Sequence, residues 1–276
     1  MSMKTPDSPK GFTLKPFPRR RKLVTDIAWL SRSRLSIRGM IEADITDARS
    51  RIHAWRRRTG RPLSFTSFLV STVAQAVASN PQVNACHAWG GRIAYFEAVN
   101  ILTMVEVENT DGTQIPIGHL IQAADRLEAG DIEAAIDRFR SSYNDASETR
   151  LLDIMTVFPK SIRRLLFARM PLNPDFVQKN MGTVIVSAVG MFLPRHAAWA
   201  LGQSNHTVSI WVGSTVERLC LIKGEVTPRT MACITIDLDH DLIDGAPAAR
   251  FTAMLVKMIE KASVLGEEMQ ADERNE

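Results

Sequence analysis

Strand-like and helix-like stretches fall into separate blocks along this chain and do not alternate one for one. A helical period of apolar residues covers 64–79 and stops at Asn80-Pro81, because the residue before a proline disfavours helix. After Gly91 the apolar period changes to that of strands. Strands grouped apart from helices form separate layers, so the pattern predicts an α+β fold, a two-layer sandwich of mixed sheet and helices.

The other elements follow from the same periods and from their flanking turn residues. Strands are predicted at 36–44, 93–96, 99–107, 115–117, 183–189, 207–212, 218–223 and 231–238. A helix capped by Thr46 or Asp47 is predicted to end near Thr59-Gly60. Further helices are predicted at 64–79, 131–140 and 245–262, the last with Pro247 in its first turn, where a missing N–H is tolerated. No linker interrupts 22–265, which favours a single domain.

The composition is that of an ordinary globular protein, with 45% hydrophobic and 23% charged side chains in 276 residues. No apolar run approaches the roughly 18 residues of a membrane span, and the N-terminus has no apolar signal segment. We therefore expect a cytoplasmic protein. Cys86, Cys220 and Cys233 have neither paired nor metal-ligand spacing, which predicts reduced thiols and no metal site.

Positive charge is concentrated at the start of the chain. Seven basic side chains and one acidic one precede Asp26, and the rest of the chain is nearly neutral. We predict a basic mobile leader at 1–21, a folded domain at 22–265 and a polar tail at 266–276; a membrane or nucleic-acid tether is the alternative for the leader. No aromatic residues interleave with a basic face, so no nucleic-acid partner is expected.

The strongest chemical signal is the stretch from His240 to Gly245. His240 follows a predicted strand and precedes a predicted helix, a connection between rigid elements that suits a precisely held side chain. A histidine can take a proton near neutral pH and return it to a leaving group. Asp244 lies four residues later and could fix the loop, and Gly245 permits a tight turn. By spacing alone this motif is weak.

The surrounding residues resemble the acyltransferase core of 2-oxo acid dehydrogenase complexes and chloramphenicol acetyltransferase. The similarity covers Asp239-His240, Ile243-Asp244-Gly245-Ala246 and Ala249-Arg250-Phe251, and then 182–192, where Ser187 falls on the catalytic serine of that family. Further matches follow in order at 63–85, 111–117 and 212–218. The resemblance therefore spans about 22–265 and implies a chloramphenicol acetyltransferase-like fold.

The resemblance also implies a mechanism. His240 would deprotonate the acyl acceptor, Ser187 would donate to the tetrahedral oxyanion, and acyl-coenzyme A would be the co-substrate. Asp244 would be structural and would pair with a basic residue near the chain start, Lys22 or alternatively Arg21. The family forms trimers with each active site between two subunits, so a homotrimer is expected.

Several positions depart from the family pattern. A lysine of the long helix is replaced by Ser71, an Asn-Pro-Pro segment by 203–206, and an often basic position by Asp241. These changes concern walls associated with coenzyme A or acceptor binding, so no cofactor-binding residues are assigned. No lipoyl attachment is expected in this chain, and His206 lies in a segment that borders the family's active site.

Residues 144–180 exceed the family pattern in length. An apolar helical face accompanied by Lys160, Arg163, Arg164 and Arg169 predicts either an extra core or interface helix, or a lid over an acyl chain that could also contact a membrane surface through 151–169.

The leading hypothesis is an acyltransferase acting on a small or lipidic acceptor. Two alternatives stay open. One is a non-catalytic trimeric scaffold or partner of a dehydrogenase-type complex. The other is an acyltransferase whose donor is bound to a carrier protein.

Overall fold

The computed structural model describes residues 11–108, 112, 114–143, 155–188 and 196–266. The strands are β1 Ser36–Asp44, β2 Ala85–Ala88, β3 Arg92–Tyr95, β4 Ile101–Glu108, β5 Gln114–Ile121, β6 Val184–Ala188, β7 Val208–Ile222 and β8 Glu225–Asp239. The longer helices are α1 Arg19–Leu30, α2 Thr46–Thr59, α3 Phe65–Ala78, α4 Ala129–Ser142, α5 Lys160–Arg169 and α6 Gly245–Glu260.

Six of these strands form one mixed sheet in the order β1-β8-β7-β6-β4-β5. The pairs β7–β6 and β6–β4 are parallel, and the other three pairs are antiparallel. A separate antiparallel hairpin joins β2 to β3. The predicted α+β fold is confirmed.

The hydrophobic core lies between one face of the sheet and the layer of α2, α3, α4 and α6. Phe68 of α3 and Phe251 of α6 are fully buried against alternate residues of the central strands, such as Val186 and Ile236. The Ser64 hydroxyl begins α3 by accepting from the N–H of Ser67, as a helix N-cap does. Because successive strand residues face opposite sides, Ser187 lies on the other face of the sheet.

Strands β7 and β8 are longer than predicted. The sequence indicated two strands at 207–212 and 218–223, but β7 is continuous and contains a bulge between Val212 and Thr215. The extra residue shifts the alternation of side chains between the two faces, so the sequence period breaks although the strand continues. Lys223 and Gly224 have φ values of 52° and 90° and make a two-residue hairpin turn that requires this conformation.

Residues 196–206 cover part of the opposite face of the sheet, where Gly202 lies against the Trp211 ring. Trp199 donates from Nε1 to the carbonyl oxygen of Ile41 in β1 at 3.0 Å. Strand β2 was not predicted, because four residues are too few to establish a period. The Thr207 hydroxyl at the start of β7 donates to the Ala85 carbonyl and ties the hairpin to the sheet.

Helix α1 begins at Arg19 and so includes the last three residues of 1–21, the range predicted as a mobile leader. It packs against α5 through Asp26, whose side chain is 1% exposed. Arg163 binds that carboxylate at 2.7 Å and Arg164 binds it at 3.1 Å. The segment 144–180 therefore contributes a helix that is part of the fold; its residues 144–154 lie outside the described part of the chain.

None of the helices among the described residues is both long and apolar enough to cross a bilayer.

Replacing Arg163 with methionine should destabilise the protein by about 1.5–3 kcal/mol, because it removes a charged hydrogen-bond partner from the buried Asp26 carboxylate and leaves only Arg164 to compensate it. Urea denaturation at pH 7 measures the effect. Arg140→Met is the matched control, since Arg140 pairs with Asp137 on the surface and such pairs contribute about 0–1 kcal/mol. Equal losses of unfolding free energy in the two variants would show that the buried ion pair between Arg163 and Asp26 contributes no more than a surface pair.

Candidate functional site

His240 lies at the carboxyl end of β8, in a five-residue connection that ends at Asp244, the N-cap of α6. Its side chain is exposed, and its backbone N–H donates to the carbonyl oxygen of Leu35 at 3.0 Å. The imidazole makes no hydrogen bond or ion pair with any described residue. An exposed base next to two well-ordered elements is accessible to a substrate while its backbone is held.

Asp244 is exposed, and its side chain forms neither a helix-capping hydrogen bond nor an ion pair with a described residue. The expected pairing with Lys22 or Arg21 is therefore not found. A different pair occupies this region: Arg34, just before β1, binds the carboxylate of Asp239, whose side chain is 1% exposed. The pairing of Arg34 with Asp239 was not predicted from the sequence, although an aspartate at the apolar end of β8 is a usable signal of a paired charge.

Ser187 is 5% exposed and lies in β6, far from His240 in the same chain. It pairs with Trp211 of β7, which in turn pairs with Thr235 of β8. His240 is five positions beyond Thr235, so it is displaced from Ser187 by about 16 Å along the strands and about 10 Å across them. The two predicted catalytic side chains cannot meet within one chain.

Two further polar atoms lie in the same row of the sheet as Ser187. The indole N–H of Trp211 and the hydroxyl of Thr235 are buried and have no hydrogen-bond partner among the residues that the structure describes. Buried polar groups are nearly always paired in native proteins. This face near Ser187 is therefore polar and incompletely satisfied in an isolated chain.

A cavity of about 160 Å³ lies near the amino ends of β6 and β7, at the same end of the sheet as His240. Leu30, Leu172 and Val177 supply apolar walls, and Arg34 and Asn205 supply polar ones. The Asn205 side-chain oxygen is buried and has no partner in the described part of the chain, so it can accept a hydrogen bond from a ligand. Thr207 lines the cavity, and its carbonyl accepts a hydrogen bond at 3.0 Å from the N–H of Asp239, the residue before His240. The cavity therefore lies next to the end of β8 that carries the histidine.

Gly182 shapes the floor of this cavity. Its φ is +72°, and a Cβ atom there would lie 2.3 Å from the Asn100 carbonyl oxygen. Only glycine fits a left-handed conformation with so close a backbone approach. The sequence between α5 and β6 is thereby held against the start of β4.

His206 lines the same cavity as a neutral imidazole. Burial lowers its pKa to about 4, and Arg34 adds to the lowering, against the opposing effect of a hydrogen bond to the Met181 carbonyl. Its Nε2 donates to that carbonyl at 3.1 Å, so Nδ1 accepts from the Ser204 hydroxyl at 2.7 Å. With both nitrogens engaged, His206 is a structural element of the wall and not a second base.

Cys86 also lines the cavity. Burial raises the pKa of its thiol to about 11, with Arg34 opposing the shift. A thiol with so high a pKa is protonated at neutral pH and is a poor nucleophile. Cys86 therefore acts as an apolar wall residue. Ser71 is 3% exposed within α3.

One group of side chains among the described residues has the spacing of metal ligands. Atoms of His87, Asp239 and Asp241 lie within 4.8 Å of one another. The Asp239 carboxylate is already bound by the Arg34 guanidinium, which would place a permanent cation beside the metal. The donor set therefore does not fit a resident divalent ion, and we assign none.

Protonation of His206 should make stability depend on pH. The pKa of His206 in the folded protein lies below its ordinary value of 6.5. Between pH 6.5 and about 4 the imidazole is therefore protonated in the unfolded chain and neutral in the folded one. The free energy of unfolding should keep the full contribution of neutral His206 above pH 6.5. It should fall as the pH is lowered from 6.5, by on the order of 2 kcal/mol at pH 4.5. Urea unfolding of the wild type and of His206→Gln at pH 7.0 and 4.5 measures this. The same loss in both proteins would contradict it.

Residues 171–266 match the family model of the 2-oxoacid dehydrogenases acyltransferase (catalytic domain). The dihydrolipoyllysine-residue acetyltransferase component of the pyruvate dehydrogenase complex from Mycoplasma capricolum is 23% identical over 231 residues, which are 82% of this chain and 45% of that protein. The predicted resemblance to this family is confirmed. The matched range includes Ser187, His240 and Asp244.

Solved structures show the same fold. A probable dihydrolipoamide acetyltransferase from Listeria monocytogenes has a TM-score of 0.68 at 19% identity, over 95% of this chain and 98% of that one. The cubic core of the pyruvate dehydrogenase multienzyme complex has a TM-score of 0.67 at 17% identity, over 95% and 99%. The chain spans less than half the length of the curated relatives it matches.

Proposed function

We propose that this protein is an acyltransferase that moves an acyl group from a coenzyme A thioester to a small acceptor, with His240 as general base and Ser187 as oxyanion donor. The observation that carries the proposal is the match of 171–266 to an acyltransferase catalytic domain, within which both residues lie at the ends of sheet strands. A scaffold would need neither side chain.

The proposed reaction requires no covalent enzyme intermediate. The His240 imidazole removes the proton of the acceptor hydroxyl, amine or thiol, whose lone pair attacks the thioester carbon. The carbonyl oxygen becomes an oxyanion and accepts a hydrogen bond from the Ser187 hydroxyl. Collapse of the tetrahedral intermediate breaks the carbon–sulfur bond, and the imidazolium returns its proton to the coenzyme A thiolate.

We propose that each site is shared between two copies of the chain. Because the sheet register separates Ser187 from His240 within one chain, the Ser187 that serves a given His240 must come from a neighbour. The buried Trp211 N–H and Thr235 hydroxyl near Ser187 lack hydrogen-bond partners among the described residues, which supports completion of this site by groups from outside them. A closed ring is the usual symmetry when two different surfaces meet, and the resemblance favours a trimer.

We propose the cavity beside Arg34 as the acceptor site. Its volume of about 160 Å³ is too small for coenzyme A and suits a compact group. Apolar walls and the free Asn205 oxygen favour an acceptor with an apolar body and a hydroxyl or amine donor. For the acceptor, the alternative is dihydrolipoamide carried on another protein. For the donor, the alternative is an acyl group bound to a carrier protein in place of coenzyme A.

The membrane contact predicted for 151–169 stays a minor part of the proposal. Phe158, Ile162 and Leu165 expose apolar surface, but Arg163 and Arg164 bind Asp26 and are not available to lipid headgroups. Deleting the segment would leave Asp26 unpaired, so point substitutions such as Leu165→Ser test this surface better than deletion.

Replacing His240 with alanine should abolish coenzyme A release from a panel of acetyl- to palmitoyl-coenzyme A, measured by chromatography with and without dihydrolipoamide as acceptor. Ser187→Ala should retain binding and lose about a hundredfold in kcat, the usual cost of one oxyanion donor. His53→Ala, on the surface of α2, is the control. Equal rates of coenzyme A release in the wild type and in His240→Ala would contradict the enzyme hypothesis and favour the non-catalytic scaffold.

Mixed assemblies test the shared site directly. Chains carrying His240→Ala and chains carrying Ser187→Ala are each inactive alone but, when co-expressed, should regain about one quarter of the wild-type activity, because one neighbouring pair in four then has both side chains. Affinity tags on the two chains confirm co-assembly. No recovery in co-assembled protein would show that the site lies within a single chain.

A further inference from the structure

We propose that Arg34 and Asp239 form a positioning pair that fixes the backbone on both sides of His240 and thereby sets the direction of its imidazole. The inference rests on the proposed role of His240 as base. It assigns a function to two residues that touch neither the reacting atoms nor, in the proposed reaction, the proton.

Asp239 holds the connection on both sides of the histidine. Its carboxylate oxygen Oδ1 accepts from the N–H of Asp241 at 3.2 Å, and its backbone carbonyl accepts from the N–H of Ile243 at 2.9 Å. The backbone N–H groups of Asp239 and His240 donate to Thr207 and Leu35, each at 3.0 Å. Three successive N–H groups, at 239, 240 and 241, are therefore all bound.

Arg34 secures Asp239 from the neighbouring strand end. It binds the second carboxylate oxygen, Oδ2, while Oδ1 holds the loop. Leu35, the acceptor for the His240 N–H, directly follows Arg34, so one segment holds both the carboxylate and the histidine backbone. A guanidinium bound to Oδ2 fixes the orientation of the carboxylate, and this keeps Oδ1 directed at the N–H of Asp241.

Other charged groups near the pair do not replace Arg34. His87 Nε2 lies 3.9 Å from Asp239 Oδ2, beyond hydrogen-bond length, and its side chain is 41% exposed. Asp241 and Asp237 carry the same sign as Asp239 and cannot bind it. Arg38 is already bound to Asp237 at 2.8 Å. Without Arg34, the nearest compensation for Asp239 is therefore a partly exposed imidazole.

The chain supplies a matched control one step along the same two strands. Arg38 of β1 and Asp237 of β8 are directly paired in the register and form the same kind of ion pair. Asp237 makes no described contact with residues 240–244. Loss of this second pair should cost cross-strand stability while leaving the His240 connection intact.

The experiment compares Arg34→Met/Asp239→Asn with Arg38→Met/Asp237→Asn, and Arg34→Met with Arg34→Lys. Each pair of substitutions removes both charges, so no buried charge is left alone and the proteins should fold. Coenzyme A release from acetyl-coenzyme A with dihydrolipoamide gives kcat and both KM values, and thermal melting and gel filtration report stability and assembly.

We expect the first double variant to lose about 10- to 100-fold in kcat, because small misplacements of a reacting group have effects of that size. The KM for acetyl-coenzyme A should change by less than about threefold. Arg34→Lys should recover part of the activity lost in Arg34→Met. The Arg38→Met/Asp237→Asn protein should keep its kcat within about threefold of wild type.

Equal kcat values in the two double variants, at equal stability, would overturn the inference. A raised acceptor KM with unchanged kcat would also overturn it, since Arg34 would then act as a wall of the acceptor cavity. His240→Ala separates the two levels: an inactive His240→Ala with fully active pair variants refutes only the positioning role, whereas an active His240→Ala refutes the proposed function itself.

Discussion

The register of the three central strands is the constraint on which the candidate site depends. Parallel pairing of β6 with β7 and antiparallel pairing of β7 with β8 place Ser187 opposite Thr235, and His240 lies beyond the end of the sheet. Backbone hydrogen bonds fix these offsets along the whole ladder, so no side-chain rearrangement can close the gap. If both residues serve one reaction, assembly of several chains is part of the chemistry.

Two buried carboxylates outside the hydrophobic core are held by arginines. Asp239 is paired with Arg34 and Asp26 is paired with Arg163 and Arg164, so these buried carboxylates are each compensated. Desolvating a charge is costly unless a partner restores the lost interactions. The two clusters join elements that are distant in the sequence, α1 to α5 and the start of β1 to the end of β8.

Much of the helix layer and of the sheet could be predicted from the sequence. The bounds of β1 and the end of α2 agree with the predicted ones, because clear turn or cap residues follow both elements; α2 begins slightly earlier than predicted, with Ile45 as its N-cap. β7 was split in the prediction because the bulge near Val212 reverses the alternation. α1 was assigned in part to a mobile leader because its basic residues hide the few apolar ones that pack.

The sequence alone determined the α+β class, the family resemblance and the identity of His240, Ser187 and Asp244 as candidates, because these follow from local periods and from short ordered motifs. Tertiary structure decided which charges meet. Arg34 is 205 positions from Asp239 and reaches it only because β1 pairs with β8. Partners that are distant in the chain leave no local pattern, so the expected pairing of Asp244 could not be checked until the strands were placed.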